Sequence, residues 1–223
     1  MKVPDNTYFG EKPEGGGITY GEIRNIHDDK RKIEILKLRI DTLLIKQIDD
    51  LSKKNSSDNY SVWSPFPLAI LTFIAIETLG RIISNLKKIR IKNENEESKA
   101  IVTPIYKLMD IKLSHGVTIK FHKAFEVLHG KSDKKSLNVY SDVIHKYQRN
   151  TFNHGYQAKG VYISHELEFP WKIEEDKGYM ILNPYLFWEL YKKTYDRVFE
   201  SILNNKNKEW RKNATHYLNN LLN

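Results

Sequence analysis

Between Pro65 and Lys88 the chain runs PFPLAILTFIAIETLGRIISNLKK, and from Phe66 to Ile83 only Thr72, Glu77, Thr78 and Arg81 interrupt the apolar side chains. A helix that is apolar on every side cannot lie on a surface; other elements have to pack around it. This segment therefore predicts a helical bundle with itself at the centre. Ser64 can cap its start, and Pro65 and Pro67 fit a first turn, where the missing N–H is not needed. The most apolar run, Leu68 to Ile76, is too short to cross a bilayer, and Glu77 and Arg81 follow at once.

The other periodicities supply partners for that core. From His27 to Lys54, residues Ile33, Leu36, Ile40, Leu43, Leu44 and Ile48 recur at helical spacing, with Asp28 as a candidate cap. Asn55 to Ser64 reads as a turn-rich loop and Asn93 to Lys99 as a charged linker. A third helix covers about Ser98 to Leu113, with Pro104 near its start. Residues 114–135 divide between an extended Val117-Thr118-Ile119 and a helical turn or two through Phe121, Phe125 and Leu128. A helix from Leu137 to His154 follows, its apolar face made by Val139, Tyr140, Val143, Ile144 and Tyr147, and Gly155 suits a left-handed end.

The period then changes to two. Val161, Ile163, Leu167 and Phe169 predict a strand that pairs with Tyr179–Leu182 in a hairpin across Glu174 to Gly178. Asn183 or Pro184 opens a long helix to about Asn204, and a polar helix from Lys208 to Leu222 closes the sequence. The expected fold is mainly α, a helical bundle with a small β-hairpin after the helix that ends at His154. Residues 1–26, polar and carrying Gly15-Gly16-Gly17, read as a flexible arm. Residues 27–205 form the helical domain, and 206–223 a C-terminal helix packed on it or extending it.

A length of 223 residues with 40% hydrophobic composition suits one ordinary domain with a real core. The formal net charge of +8 favours an anionic partner, nucleic acid before an acidic membrane surface. There is no cysteine, which excludes disulfides, thiolate metal sites and cysteine nucleophiles. The first residues lack the apolar stretch of a secretory signal. The expectation is a cytoplasmic protein without a membrane role.

Chemistry concentrates at Arg149, Asn150 and His154. Asn150 and His154 are four apart and share a helix face. Arg149 and His154 stand about 140° apart at roughly 100° per residue, a separation that a long arginine side chain can bridge. A fixed cation, an amide and an imidazole at one helix end suit metal-free cleavage of RNA. The histidine moves a proton to or from the 2′-OH or the leaving oxygen. The guanidinium stabilises charge building on the phosphorus centre, and the amide orients phosphate or ribose. With eight arginines and eight histidines, chance supplies about 0.3 examples of R-x4-H, and requiring Asn after the arginine lowers that to roughly 0.02. Arg211 and His216 repeat the bare spacing without the asparagine and read as coincidence.

Arg149-Asn150-x3-His154 resembles the R-N-x3-H signature of HEPN ribonucleases, and the helix order over residues 27–205 is similar to that family's bundle. The resemblance implies a homodimer with motif helices facing each other, Arg149 and His154 catalytic, and Asn150 assisting. It implies an endoribonuclease that needs no metal or cofactor and acts on RNA as a toxin or anti-phage effector. The alternative is a non-catalytic RNA- or nucleotide-binding or adaptor module. His154-Gly155-Tyr156 also resembles the R-x4-H-x-Y variant of toxins silenced by a nucleotidyltransferase antitoxin, which would make Tyr156 a regulatory site and the antitoxin a partner.

Glu77 is the other residue of interest. A carboxylate in so apolar a stretch needs a cation. Either it holds Arg149 in place, or it forms an i, i+4 pair with Arg81. Three further patterns read as structural. Gly130-Lys131-Ser132 lacks the upstream glycine of a phosphate-binding loop. His115, His122 and His129 have no carboxylate nearby to complete a metal site. The aromatic residues between Asn183 and Tyr195 fall at core spacing.

Overall fold

The apolar segment is helix α4, Pro65–Ile83, with ten buried residues. By length and mean hydropathy (19 residues, 1.8) it would be able to cross a membrane, yet 56% of it is buried by protein. It packs most extensively against the long helix α8 (Pro184–Leu203), then against α5 (Glu94–Met109) and α9 (Lys208–Leu222). At its crossing with α5 the backbones nearly touch. A Cβ on Gly80 would lie 2.3 Å from the Ile101 carbonyl oxygen, so only glycine fits there. The inner face of α8 stacks Trp188, Tyr191, Tyr195 and Phe199 in sequence. The Tyr191 hydroxyl donates to the Ala75 carbonyl of α4 at 2.8 Å, and Asn213 of α9 donates to the Ile83 carbonyl at 2.7 Å. These bonds satisfy polar groups that burial would otherwise penalise.

The computed structural model describes residues 3–53, 65–84, 94–109, 113, 115–130, 137–146 and 160–223. They are mostly helical. The predicted helix from His27 is capped by Asp28, which accepts from the Lys30 N–H. It runs as α2 (Asp29–Ile40), a π-helical turn (Asp41–Ile45) and α3 (Lys46–Lys53). Helical spacing alone did not announce the π turn. Its first residue, Asp41, accepts from the Tyr195 hydroxyl at 2.8 Å and from Lys37 at 2.7 Å. Eight residues on, Asp49 accepts from the Trp188 indole and from Lys192, both at 2.8 Å. Two carboxylates thus pin this helix run to α8.

The expectation of a flexible arm over residues 1–26 is corrected. Strands β1 (Tyr8–Glu11) and β2 (Gly17–Thr19) form an antiparallel hairpin turning at Gly15 and Gly16, and the short helix α1 (Tyr20–Arg24) follows. Phe9 is fully buried, edge-on to Tyr20 (5.1 Å between centroids), with the Arg39 guanidinium 4.5 Å from its ring centroid. Thr19 and Glu22 make a reciprocal capping box at the start of α1. Arg24 donates to the Leu222 carbonyl at 2.8 Å, tying the first elements to α9.

The predicted hairpin after the motif helix is real but its strands differ. The antiparallel partner of β5 (Tyr179–Leu182) is β4 (Trp171–Glu174), while β3 (Val161–Ile163) pairs parallel with the other edge of β5. The result is a three-stranded sheet in the order β3-β5-β4. Gly178 closes the β4–β5 turn at φ +69°, and a Cβ there would lie 2.2 Å from the Phe125 backbone nitrogen of α6 (Ile119–His129). The sheet therefore sits directly on α6, and within the stretch that the sequence divides between extended and helical, residues 119–129 are helix capped by Thr118.

Candidate functional site: the helix leading to the motif

Arg149, Asn150, His154 and Tyr156 lie outside the described residues. The structure describes what holds the chain on either side of them. Residues 140–146 are helical, here named α7, and their start is fixed from three directions. Asp142, only 4% exposed, accepts from the Asn138 and Val139 N–H groups at 2.7 and 3.1 Å. The same carboxylate pairs with Lys99 of α5 at 2.8 Å. Val139 bridges to Gly116, ahead of α6. The Tyr140 ring meets Phe121 of α6 edge-on, and its hydroxyl donates to Glu175 in the β4–β5 turn at 3.0 Å. Burial raises the Tyr140 phenol above its ordinary value, and Glu175 pushes the same way against an opposing bond from Thr118.

Val143 and Ile144 bury the inner face of α7, as the apolar pattern from Leu137 predicts. Beyond the motif the chain is taken up again at Gly160, whose carbonyl accepts from the Met180 N–H at 2.8 Å. The helix before the motif and the sheet after it thus share α6 as their support. Sequence reasoning did not single out Asp142, Lys99 or Glu175. The spacing Val139-x-x-Asp142 at a helix start is the local signal that points to the first of them.

Glu77 forms the i, i+4 alternative. Its carboxylate accepts from Arg81 at 2.7 Å, and its side chain is one-third exposed, so it is not the buried charge that its apolar neighbours suggested. Arg81 also approaches Glu97 at 3.9 Å. Trp188, Tyr191 and Tyr195 are core residues. His115 is exposed, and no three histidine or acidic side chains converge on a metal position among the described residues. His216 contacts Asn220 on its own helix at 3.2 Å. Gly130 ends α6, and the two residues after it lie outside the described set.

No protein-family model, curated protein or solved structure matches the chain.

Proposed function

We propose that the protein is a metal-independent endoribonuclease of the HEPN kind. In this reading Arg149 and His154 act on the phosphodiester and Asn150 positions it. His154 takes the proton from the 2′-OH as that oxygen attacks phosphorus, the P–O5′ bond breaks, and the leaving 5′-oxygen takes a proton from the resulting imidazolium. The products are a 2′,3′-cyclic phosphate and a 5′-hydroxyl, so no water or metal enters the first step. Arg149 meets the negative charge that accumulates on the non-bridging oxygens.

The observation that carries the reading is the R-N-x3-H spacing on a segment entered through a helix. The mostly helical fold is compatible with it, as is the +8 charge, which suits an RNA substrate. The same reading takes the active form to be a cytoplasmic homodimer that pairs two motifs across a two-fold axis. It makes the protein a toxin or anti-phage effector, with Tyr156 open to modification by a nucleotidyltransferase antitoxin. Glu77, already engaged by Arg81, is assigned no part in the reaction.

Incubating pure protein with total RNA in EDTA tests the proposal. Cleavage persists in EDTA, and His154→Ala and Arg149→Ala each abolish it while retaining RNA binding. An intact RNA pool, or cleavage that stops on chelation, sinks the ribonuclease reading.

A further inference from the structure

The consecutive residues Tyr140 to Ile144, at the start of the helix that leads to the motif, are all buried. At about 100° per residue they point all round the helix axis. Tyr140, Val143 and Ile144 share one side, within about 100° of arc, and Tyr140 meets Phe121 of α6 there. Asp142 stands about 200° from Tyr140, on the far side, where α5 meets it with an ammonium. Its Oδ2 accepts from the Asn138 and Val139 N–H groups, and its Oδ1 lies 2.8 Å from Lys99 Nζ. Both oxygens of this buried carboxylate are committed.

A buried ion pair adds little net stability, because desolvation offsets the attraction, but its bonds are directional. Apolar contacts alone let a short helix roll, whereas polar bonds from opposite sides resist rolling. Lys99 holds α7 from α5, and Glu175 in the β4–β5 turn accepts from the Tyr140 hydroxyl at 3.0 Å. The sequence pattern runs this helix on to His154, so its rotation passes to Arg149 and Asn150. A roll of about 20° moves a side-chain tip about 6 Å from the axis by about 2 Å. A misplacement of about 1 Å at the reacting groups can cost about 100-fold in rate.

We propose that Asp142 and Lys99, opposed by Tyr140 and Glu175, are positioning residues that fix the rotation of α7 and with it the aim of Arg149 at the scissile phosphate. The inference rests on the ribonuclease reading and deepens it, because the pair acts on turnover only through the motif.

The test compares Asp142→Asn, which keeps an oxygen for the two N–H groups and loses the charge, with Lys99→Met, whose side chain is partly exposed and tolerates change. Cleavage of a labelled RNA is followed in EDTA, well below each melting temperature. Both variants lower kcat about 10- to 100-fold and leave KM within about 3-fold. Lys99→Arg retains kcat, and the two substitutions together cost no more than either alone. Phe9→Leu, which loosens the core in another unit of the fold, keeps kcat. Wild-type kcat in Asp142→Asn overturns the proposal, and so does an equal loss in Phe9→Leu, which would make the pair merely structural. Hydrogen exchange without RNA supplies a readout independent of cleavage. Exchange in Asp142→Asn rises over residues 140–156 and not in α4 or α8. Unchanged exchange overturns the positioning role whether or not RNA is cut, whereas raised exchange in a protein that never cuts RNA upholds the clamp on α7 and sinks only the ribonuclease reading.

Discussion

Two small β units each bury one side of their strands and leave an aromatic ring on the other. The hairpin β1–β2 buries Phe9 completely, between Tyr20 and the Arg39 guanidinium. The same hairpin leaves Tyr8 58% exposed; the sheet β3-β5-β4 buries Val161, Met180 and Leu182 and leaves Tyr162 51% exposed, with Phe169, 63% exposed, in the loop between β3 and β4. A buried ring belongs to the fold, because removing it opens a cavity. An exposed ring contributes little to folding, and it is available to a ligand. The comparison assigns Phe9 to stability and leaves Tyr8, Tyr162 and Phe169 with little part in it.

The largest expected effect breaks the first unit. Phe9→Ala costs about 3–5 kcal/mol in denaturant unfolding, a large fraction of an ordinary domain's total of about 5–15 kcal/mol. Tyr162→Ala and Phe169→Ala, which delete rings of similar size, should each change stability by less than about 0.5 kcal/mol. Similar losses at all three positions would erase the distinction between the buried ring and the exposed ones.

Acid sharpens the same comparison. Glu22 is held below the usual carboxylate range by the Thr19 N–H first and by Lys12 next, and Glu174 is held low chiefly by Lys172. A carboxylate with a depressed folded pKa stabilises above its unfolded value, about 4.3, and that contribution is lost as pH falls through the folded value. Glu22→Gln and Glu174→Gln should therefore melt below wild type at neutral pH and converge with it in acid. Added salt should shrink the Glu174 difference more than the Glu22 difference, because an ammonium partner is screened and a backbone N–H is not. Differences that persist at low pH would mean that these carboxylates act through packing.

The helical core was legible because its signals are local. An apolar surface on every side identified α4, Asp28 and Asn183 marked helix starts at positions the structure uses as caps, and Pro184 takes the first helical position. The N-terminal hairpin was obscured by composition. Only Phe9, Gly10 and Ile18 of its strands are buried, and with one of the three a glycine they are too few to show an alternating pattern against polar neighbours. The sheet was read with the right turn and the wrong first strand, because the pairing of β3 with β5 is parallel and spans the intervening β4, which no local rule detects. The π turn begins at Asp41, which accepts a tertiary bond from Tyr195 beside its local i, i+4 pair with Lys37. For the site, sequence gives the residue types and their spacing, and the structure adds the anchoring of α7 through Asp142 and Tyr140. The relative placement of Arg149 and His154 lies outside the described residues.

The central claim is that the attacking nucleophile is the RNA's own 2′-hydroxyl, and one substitution in the substrate tests it most directly. A cleaved RNA oligonucleotide is resynthesised with a single 2′-deoxy nucleotide on the 5′ side of the scissile phosphate and incubated with the wild-type protein in EDTA. The account predicts that cutting at that bond stops, while the unmodified strand yields a 2′,3′-cyclic phosphate. Continued cutting at the deoxy position would contradict it, because the nucleophile would then have to be water or the protein.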